Sequence, residues 1–339
     1  MSGAAGLVVA PEARIYDHGF RHPLRPQRVL LTWELIAAYG IDLDPGVVRL
    51  GAEPADDETL MLVHTPEFIE ATRDAGHGID GPWGRFGYGV VDNPIFDDMH
   101  EAGALVAGAS LAAARAVLSG EVAHAFNAAG GLHHAMPDRA SGFCVYDDPA
   151  VAIAWLLTQG VERIAYVDVD VHHGDGVERI FWDDPRVLTV SLHESGRALF
   201  PGTGWPGDTG GPNAQGSAVN VALPPGTGDS AWLRALHATA LPIVRAFKPE
   251  VMVTQHGCDT HAQDPLAHLA MSVDAQRAAA EALHRLAHDV CEGRWVALGG
   301  GGYELVDVVP RAWTHLTGIA SHRPIPLTAP VPEGWLEHV

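Results

Sequence analysis

Between Tyr166 and Asp175 the chain reads Tyr, Val, Asp, Val, Asp, Val, His, His, Gly, Asp, so that valines alternate with metal-ligand residue types. Side chains on an extended strand alternate faces, so Val167, Val169 and Val171 would enter a core while Asp168, Asp170 and His172 point the other way. Crowding two carboxylates and an imidazole is unfavourable by several kcal/mol unless hydrogen bonds or a cation compensate, and a divalent metal does so most simply. The plainer alternative is a strand running into a solvated turn at Gly174 and Gly176. The valines argue for a buried central strand, and open α/β sheets bind ligands at the carboxyl ends of such strands.

Apolar runs elsewhere support that setting. Strands are expected at 122–126, 164–171, 187–192, 251–255 and 295–298. Helical patterns at 99–118, 149–157, 229–247 and 272–291 lie between or after them. This alternation predicts an α/β fold, with a mostly parallel sheet and helices on both faces. A single domain over residues 1–339 is expected, since no linker or repeat interrupts the chain. The stretches 76–94 and 201–228 read as long loops at the functional face. The proline-bearing residues from about 324 onward are expected to be irregular.

Composition removes several classes of function. No run reaches the roughly 18 to 20 uninterrupted apolar residues of a membrane helix, and the first ten residues lack a signal peptide's basic and long apolar regions. A cytoplasmic protein is expected. Cys144, Cys258 and Cys291 are too few and too scattered for a disulfide framework or a Cys-based zinc site. The net charge of −21 disfavours direct contact with nucleic acid or an anionic membrane. It suits cationic partners without identifying one.

Four further motifs carry chemistry. Gly130, Gly131 and Leu132 precede the tandem pair His133 and His134, and imidazole is the natural proton shuttle near neutral pH. Asp168 and Asp175 are available to accept ring N–H bonds, giving two His/Asp dyads. Asp259 follows the strand-like 251–255 run; read alone it is either a third metal ligand or a helix N-cap. An Asp, His, Asp set would leave a coordination position open for water. Four glycines, 299–302, precede Tyr303. They lack the spacing of a phosphate loop, and Tyr303 could offer its hydroxyl to an oxyanion or simply pack over a helix start. Phe143 and Phe200 each adjoin glycine or proline in a loop and could wall a narrow apolar channel.

Taken in order, these motifs resemble the histone deacetylase superfamily, and within it the acetoin-utilisation branch of microbial deacetylases. The likeness begins at His22, Pro23 and Arg28, and continues through 92–101, 130–135, 142–148, 166–177, 190–193, 200–204, 255–269 and 299–303. It implies a three-layer α/β/α sandwich of the arginase/deacetylase type. Asp170, His172 and Asp259 match the family's metal ligands. His134 matches its general base and His133 the second histidine, with Asp175 and Asp168 as their respective partners. Tyr303 matches the carbonyl-polarising tyrosine, Phe143 and Phe200 the channel walls, and the Gly142 carbonyl a substrate acceptor. Asp92 matches the rim carboxylate, Leu266 a variable pocket position and Arg28 a residue of the acetate exit channel.

The activity implied is metal-assisted removal of acetyl groups from the ε-amine of lysine in proteins. Zn²⁺ suits the ligand set, with Fe²⁺ or Co²⁺ also compatible. The resemblance also implies K⁺, held by backbone oxygens around Asp168, Asp170, His172, Ser191 and Leu192. Two departures stand out. Cys258 replaces an alanine familiar from animal enzymes, which predicts oxidation sensitivity beside Asp259. Asp175 is not the asparagine of many class II relatives, and Gly130, Gly131 and Leu132 stand where polyamine-type members carry Pro-Gly; both details lean toward protein lysines. Rival readings are an acetylpolyamine amidohydrolase, a non-hydrolytic acyl-binding protein and an arginase-type binuclear hydrolase, the last needing more carboxylates than the sequence offers near Asp170.

Overall fold

The computed structural model of the chain describes residues 4–10 and 15–337. Its strands are β1 (Ala5–Val9), β2 (Val47–Gly51), β3 (His124–Asn127), β4 (Ile164–Asp168), β5 (Val187–Glu194), β6 (Ala218–Leu223), β7 (Val251–Gln255) and β8 (Trp295–Leu298). They form one 8-stranded sheet in the order β2-β1-β3-β8-β7-β4-β5-β6, with every pair parallel. Parallel neighbours require crossovers. These are built from α1 (Gln27–Ala38), α2 (Asp57–Leu60), α3 (Pro66–Gly76), α4 (Met99–Ser119), α5 (Asp148–Thr158) and α6 (Asp175–Phe181). After β6 come α7 (Asp229–Ala235), α8 (Leu241–Phe247), α9 (Val273–Cys291), α10 (Val309–Ala320) and the short α11 (Glu333–Leu336).

Strand alternation sorts the core into two layers. Val8, Ala125, Tyr166, Val253 and Val296 face a cluster completed by Val106 of α4 and Val151 of α5. Leu7, Phe126, Val167, Met252 and Ala297 face the opposite cluster, with Ile36 of α1, Leu283 of α9 and Trp313 of α10. Local signals set the helix ends. The Asp147 carboxylate caps α5 ahead of Pro149, the Ser272 hydroxyl accepts from Ala275 N at the start of α9, and α4 stops at Gly120, whose φ is 76°. By length and composition α4 could cross a membrane, but 78% of its most apolar window is buried in this fold.

The structure thus has the expected α/β sandwich, with local differences. β4 ends at Asp168 rather than near Val171. Beyond it, side-chain carboxylates take over the backbone amides: Asp168 accepts from Asp170 N, Asp259 from Val171 N and Asp170 from His172 N. The 229–247 helix is interrupted by a π-turn at Leu236–Ala240. The 201–228 stretch contains the edge strand β6. Within the tail, α11 seats a buried Trp335 whose indole N–H reaches Leu31 O at 3.3 Å.

Candidate metal-dependent active site

Four adjacent strands, β3, β8, β7 and β4, end on the same edge of the sheet. Chain order breaks here, because the late strands β7 and β8 insert between β3 and β4, and such switch points leave a crevice at the carboxyl edge. The loop after β3 carries His133 and His134, that after β4 carries Asp170 and His172, that after β7 carries Asp259, and that after β8 carries Tyr303.

Asp170, His172 and Asp259 are buried and bring one ligand atom each to within 4.8 Å of one another. His172 Nδ1 lies 3.0 Å from Asp170 Oδ1 and 3.1 Å from Asp259 Oδ2. Burial together with the Asp170 charge pushes the Asp259 carboxyl up, while the two carboxylates outweigh burial and raise His172 to about 10. The carboxylates thus hold a positive charge between them, and a divalent ion would take the place of the His172 proton. Donor type and convergence fit a divalent ion with three protein ligands. Close backbone approach makes room for them. Gly301 N donates to Asp170 Oδ2 at 2.8 Å, and a Cβ on Gly257 would collide with the same carboxylate oxygen.

Both histidine and aspartate pairs are formed. His133 Nδ1 lies 2.7 Å from Asp168 Oδ2 and His134 Nδ1 2.6 Å from Asp175 Oδ1. The two Nε2 atoms face each other at 3.1 Å. Burial opposes charge on His133, but Asp168 and Asp170 outweigh it and raise its pKa to about 10. Burial and the charge on His133 lower His134 to about 4, against the pull of Asp175. One ring is therefore charged and its neighbour neutral.

Above these groups opens a cavity of about 180 Å³ lined by Asp92, His134, Gly142, Phe143, His172, Phe200, Leu266 and Tyr303, with Leu199 also on its wall. The His134 and Phe200 rings are 5.0 Å apart, and the Phe143 and Tyr303 rings 5.8 Å. Burial, then the charges of Asp259 and Asp170, push the Tyr303 phenol upward, so it remains a neutral donor. Arg28 sits behind the crevice, buried, donating to Gly300 O at 2.6 Å. It borders a small cavity that shares Leu24 and Leu132 with the inner pocket at His133 and Asp170.

Several supporting residues escaped the sequence reading. Gln255 Nε2 donates to Asp170 Oδ2 at 2.7 Å while its Oε1 accepts from Gly257 N. Tyr166 OH donates to Asp168 Oδ2 at 2.7 Å. Asp264 receives Tyr303 N at 2.8 Å, and Tyr16 OH donates to Phe143 O at 2.8 Å. Gln255 closes β7 and Tyr166 lies in β4 two residues before Asp168, on the same face, a signal that could have found them; Tyr16 and Asp264 act across loops and carry no such mark. Cys258 differs from expectation. It is buried, and burial pushes its thiol well up, so the reactive thiolate is disfavoured and oxidation sensitivity does not follow.

Asp170, His172 and Asp259 would hold an ion with a coordination position to spare, and the ion would supply Lewis-acid activation of water. The neutral His134 imidazole is placed nearby as a proton acceptor, an arrangement suited to metal-assisted hydrolysis. Comparison with known proteins narrows the class. The histone deacetylase domain family matches residues 22–320. Over 312 residues the chain is 42% identical to the acetoin utilization protein AcuC of Bacillus subtilis (strain 168), covering 91% of this chain and 80% of that protein. It is 35% identical over 338 residues to AcuC of Staphylococcus xylosus, covering 99% and 87%. The chain therefore belongs to the histone deacetylase family, in its acetoin-utilisation branch, and is a deacetylase, a hydrolase acting on amides.

Proposed function

We propose that this protein removes acetyl groups from lysine ε-amines in proteins, with Zn²⁺ at Asp170, His172 and Asp259 and Fe²⁺ or Co²⁺ able to replace it. The observation that carries this reading is the cavity with Phe143 and Phe200 on its walls and His134, His172 and Tyr303 also lining it. Two aromatic faces suit the apolar stem of an acetyl-lysine. When bound, the ion supplies Lewis-acid polarisation of the acyl carbonyl and the attacking water.

In this reading the protein's own groups divide the remaining work. His134 takes the water proton at Nε2, since its Nδ1–H points at Asp175. His133, charged beside Asp168, hands a proton to the leaving amine. Tyr303 donates its hydroxyl to the tetrahedral oxyanion. The Gly142 carbonyl accepts from the substrate amide, Asp92 holds substrate backbone at the rim, Leu266 shapes the mouth, and Arg28 lines the route by which acetate leaves. K⁺ belongs to the same reading, supported by the β4–β5 register that sets Asp168 beside Ser191. A cytoplasmic location also stays with it.

The −21 charge favours a second reading, hydrolysis of small acetylated polyamines. The test is acetate release by zinc-loaded protein from an acetyl-lysine peptide and an acetylated polyamine in parallel, with a metal-stripped control. Metal-dependent, peptide-selective release is expected, and His134→Ala and Tyr303→Phe should each abolish most of it while leaving the protein folded. Polyamine preference transfers the function to small amines; silence on both, with metal bound, overturns the protein-lysine reading in favour of another acyl group or of acyl binding.

A further inference from the structure

At the opposite edge of the sheet, where β3 and β8 begin, four histidines from three distant segments meet. His124 opens β3 opposite Trp295 of β8. His284 and His288 lie one helical turn apart on α9 and so share a face. His322 follows the end of α10. One ring nitrogen from each lies within 4.8 Å of the others. None of the four belongs to the crevice described above.

The distances are those of a ligand shell. His124 Nε2 is 3.1 Å from His288 Nε2 and 3.1 Å from His284 Nε2, and the last two are 3.2 Å apart. Tetrahedral geometry with metal–nitrogen bonds of about 2.0–2.1 Å separates its ligand atoms by roughly 3.3–3.4 Å. The Nε2 triangle therefore matches one face of such a tetrahedron, slightly contracted, and His322 brings a fourth ring nitrogen to within 4.8 Å of the other ligand atoms.

Hydrogen bonding does not account for this arrangement. His124 Nδ1 lies 2.7 Å from the carbonyl of Gly293, which can only accept, so a neutral His124 carries its proton there and turns a bare Nε2 lone pair into the cluster. Each neighbouring Nε2–H could satisfy one edge of the triangle at most, so at least one edge sets two lone pairs or two N–H groups against each other. Charging the rings would set imidazolium groups against one another. His322 adds to the imbalance: its buried Nε2 has no hydrogen-bond partner among the described residues. Its backbone φ of 55° also places a histidine where a helix terminus normally takes glycine.

We propose that His124, His284, His288 and His322 form a second metal site, separate from the catalytic one, for a divalent first-row transition ion of the zinc class. All-imidazole ligation suits Zn²⁺, Co²⁺, Ni²⁺ or Cu²⁺ rather than Mg²⁺ or Ca²⁺. Four protein ligands leave no position for substrate, so the site is structural and joins the start of β3, the last turns of α9 and the segment after α10. The Gly293 carbonyl fixes the tautomer and orientation of His124, as such partners do for metal-bound imidazoles. Neutral ligands leave the ion's charge uncompensated. That is tolerable because His284, His288 and His322 are only half-buried and the protein carries −21.

Metal counting on untagged full-length protein tests this. After chelation, reloading with Zn²⁺ and desalting, elemental analysis should give two equivalents per wild-type chain. His284→Ala/His288→Ala should hold one and keep its deacetylase activity, whereas Asp170→Ala/His172→Ala should also hold one but be inactive. In the latter variant Co²⁺ should show the visible absorption of a tetrahedral nitrogen site, and removing the metal should lower its Tm. If the double histidine variant misfolds, His322→Ala, altered at a half-buried position beyond α10, should fold and bind the second equivalent more weakly. One equivalent in active wild-type protein, or two retained by a folded His284→Ala/His288→Ala, overturns the proposal. Loss of the catalytic reading alone would leave the second equivalent in place.

Discussion

His133 Nε2 and His134 Nε2 stand 3.1 Å apart although their Nδ1 atoms are held by different carboxylates, Asp168 at 2.7 Å and Asp175 at 2.6 Å. With both Nδ1 atoms protonated toward those acids, the Nε2 pair accommodates a single proton. Burial resists that charge, but Asp168 and Asp170 draw it onto His133, and His134 is left neutral. The two carboxylates are therefore not equivalent. Asp168 also receives Tyr166 OH and Asp170 N, whereas Asp175 serves chiefly to orient His134. Asp168→Asn, which removes the charge that holds the proton on His133, should lower kcat by about a hundredfold or more and also lower Tm, while Asp175→Asn, beside a neutral ring, should cost about tenfold. Steady-state kinetics and thermal unfolding of both variants decide it, and equal losses would contradict this division.

Gly257→Ala should damage the proposed metal site without touching a ligand. The new Cβ would fall on Asp170 Oδ2, an oxygen already fixed by Gln255 Nε2 and Gly301 N. Because that carboxylate has nowhere to go, metal affinity should fall roughly ten- to a hundredfold, with overpacking costing about 1–3 kcal/mol of stability. Competition with a chelator and urea unfolding measure the two effects. Unchanged zinc affinity would mean that the loop yields, against the packing described.

At the cavity mouth Asp92 has an exposed side chain while its backbone carbonyl lies 3.2 Å from His22 Nε2. Asp92→Ala should therefore leave the loop anchored. It should raise KM for an acetyl-lysine peptide severalfold and leave turnover of a small acetylated amine nearly unchanged. Equal effects on both substrates would count against a backbone-holding role.

Away from the site, His64 should make stability sensitive to acid. Asp147 N donates to its Nε2 at 3.0 Å, and Nδ1 lies 3.1 Å from Met136 O, so the buried ring is pinned in one neutral tautomer. Burial lowers its pKa from 6.5 to about 4. As pH falls from 6.5 toward 4, the unfolded chain binds a proton that the folded ring refuses, so stability present above 6.5 is lost across that window. The contribution is about 3 kcal/mol. His64→Gln should flatten the dependence of unfolding free energy on pH between those limits; an unchanged slope would show that His64 is not its source.

Local pattern made much of this protein legible. The apolar run at 164–168 marked a buried strand, although the alternation continues past its end at Asp168. Paired glycines marked close backbone approach, and the ordered motifs from His22 to Tyr303 carried the family resemblance. Those signals are local, because side-chain period and backbone freedom depend on neighbouring residues. The short edge strands β2 and β6 left little trace, since half-solvated strands need no continuous apolar run. Tertiary structure decided the rest. The insertion of β7 and β8 between β3 and β4 brings Asp259 to His172 and Tyr303 to Phe143, and the choice of His133 over His134 as the charged ring depends on the acids packed around each. His124, His284, His288 and His322 are the clearest instance: apart from one helical repeat, nothing in their spacing joins them, and only the fold places their nitrogens within 4.8 Å of one another. Periodicity encodes which face a side chain takes, whereas convergence across the sheet is set by the order in which crossovers lay down the strands.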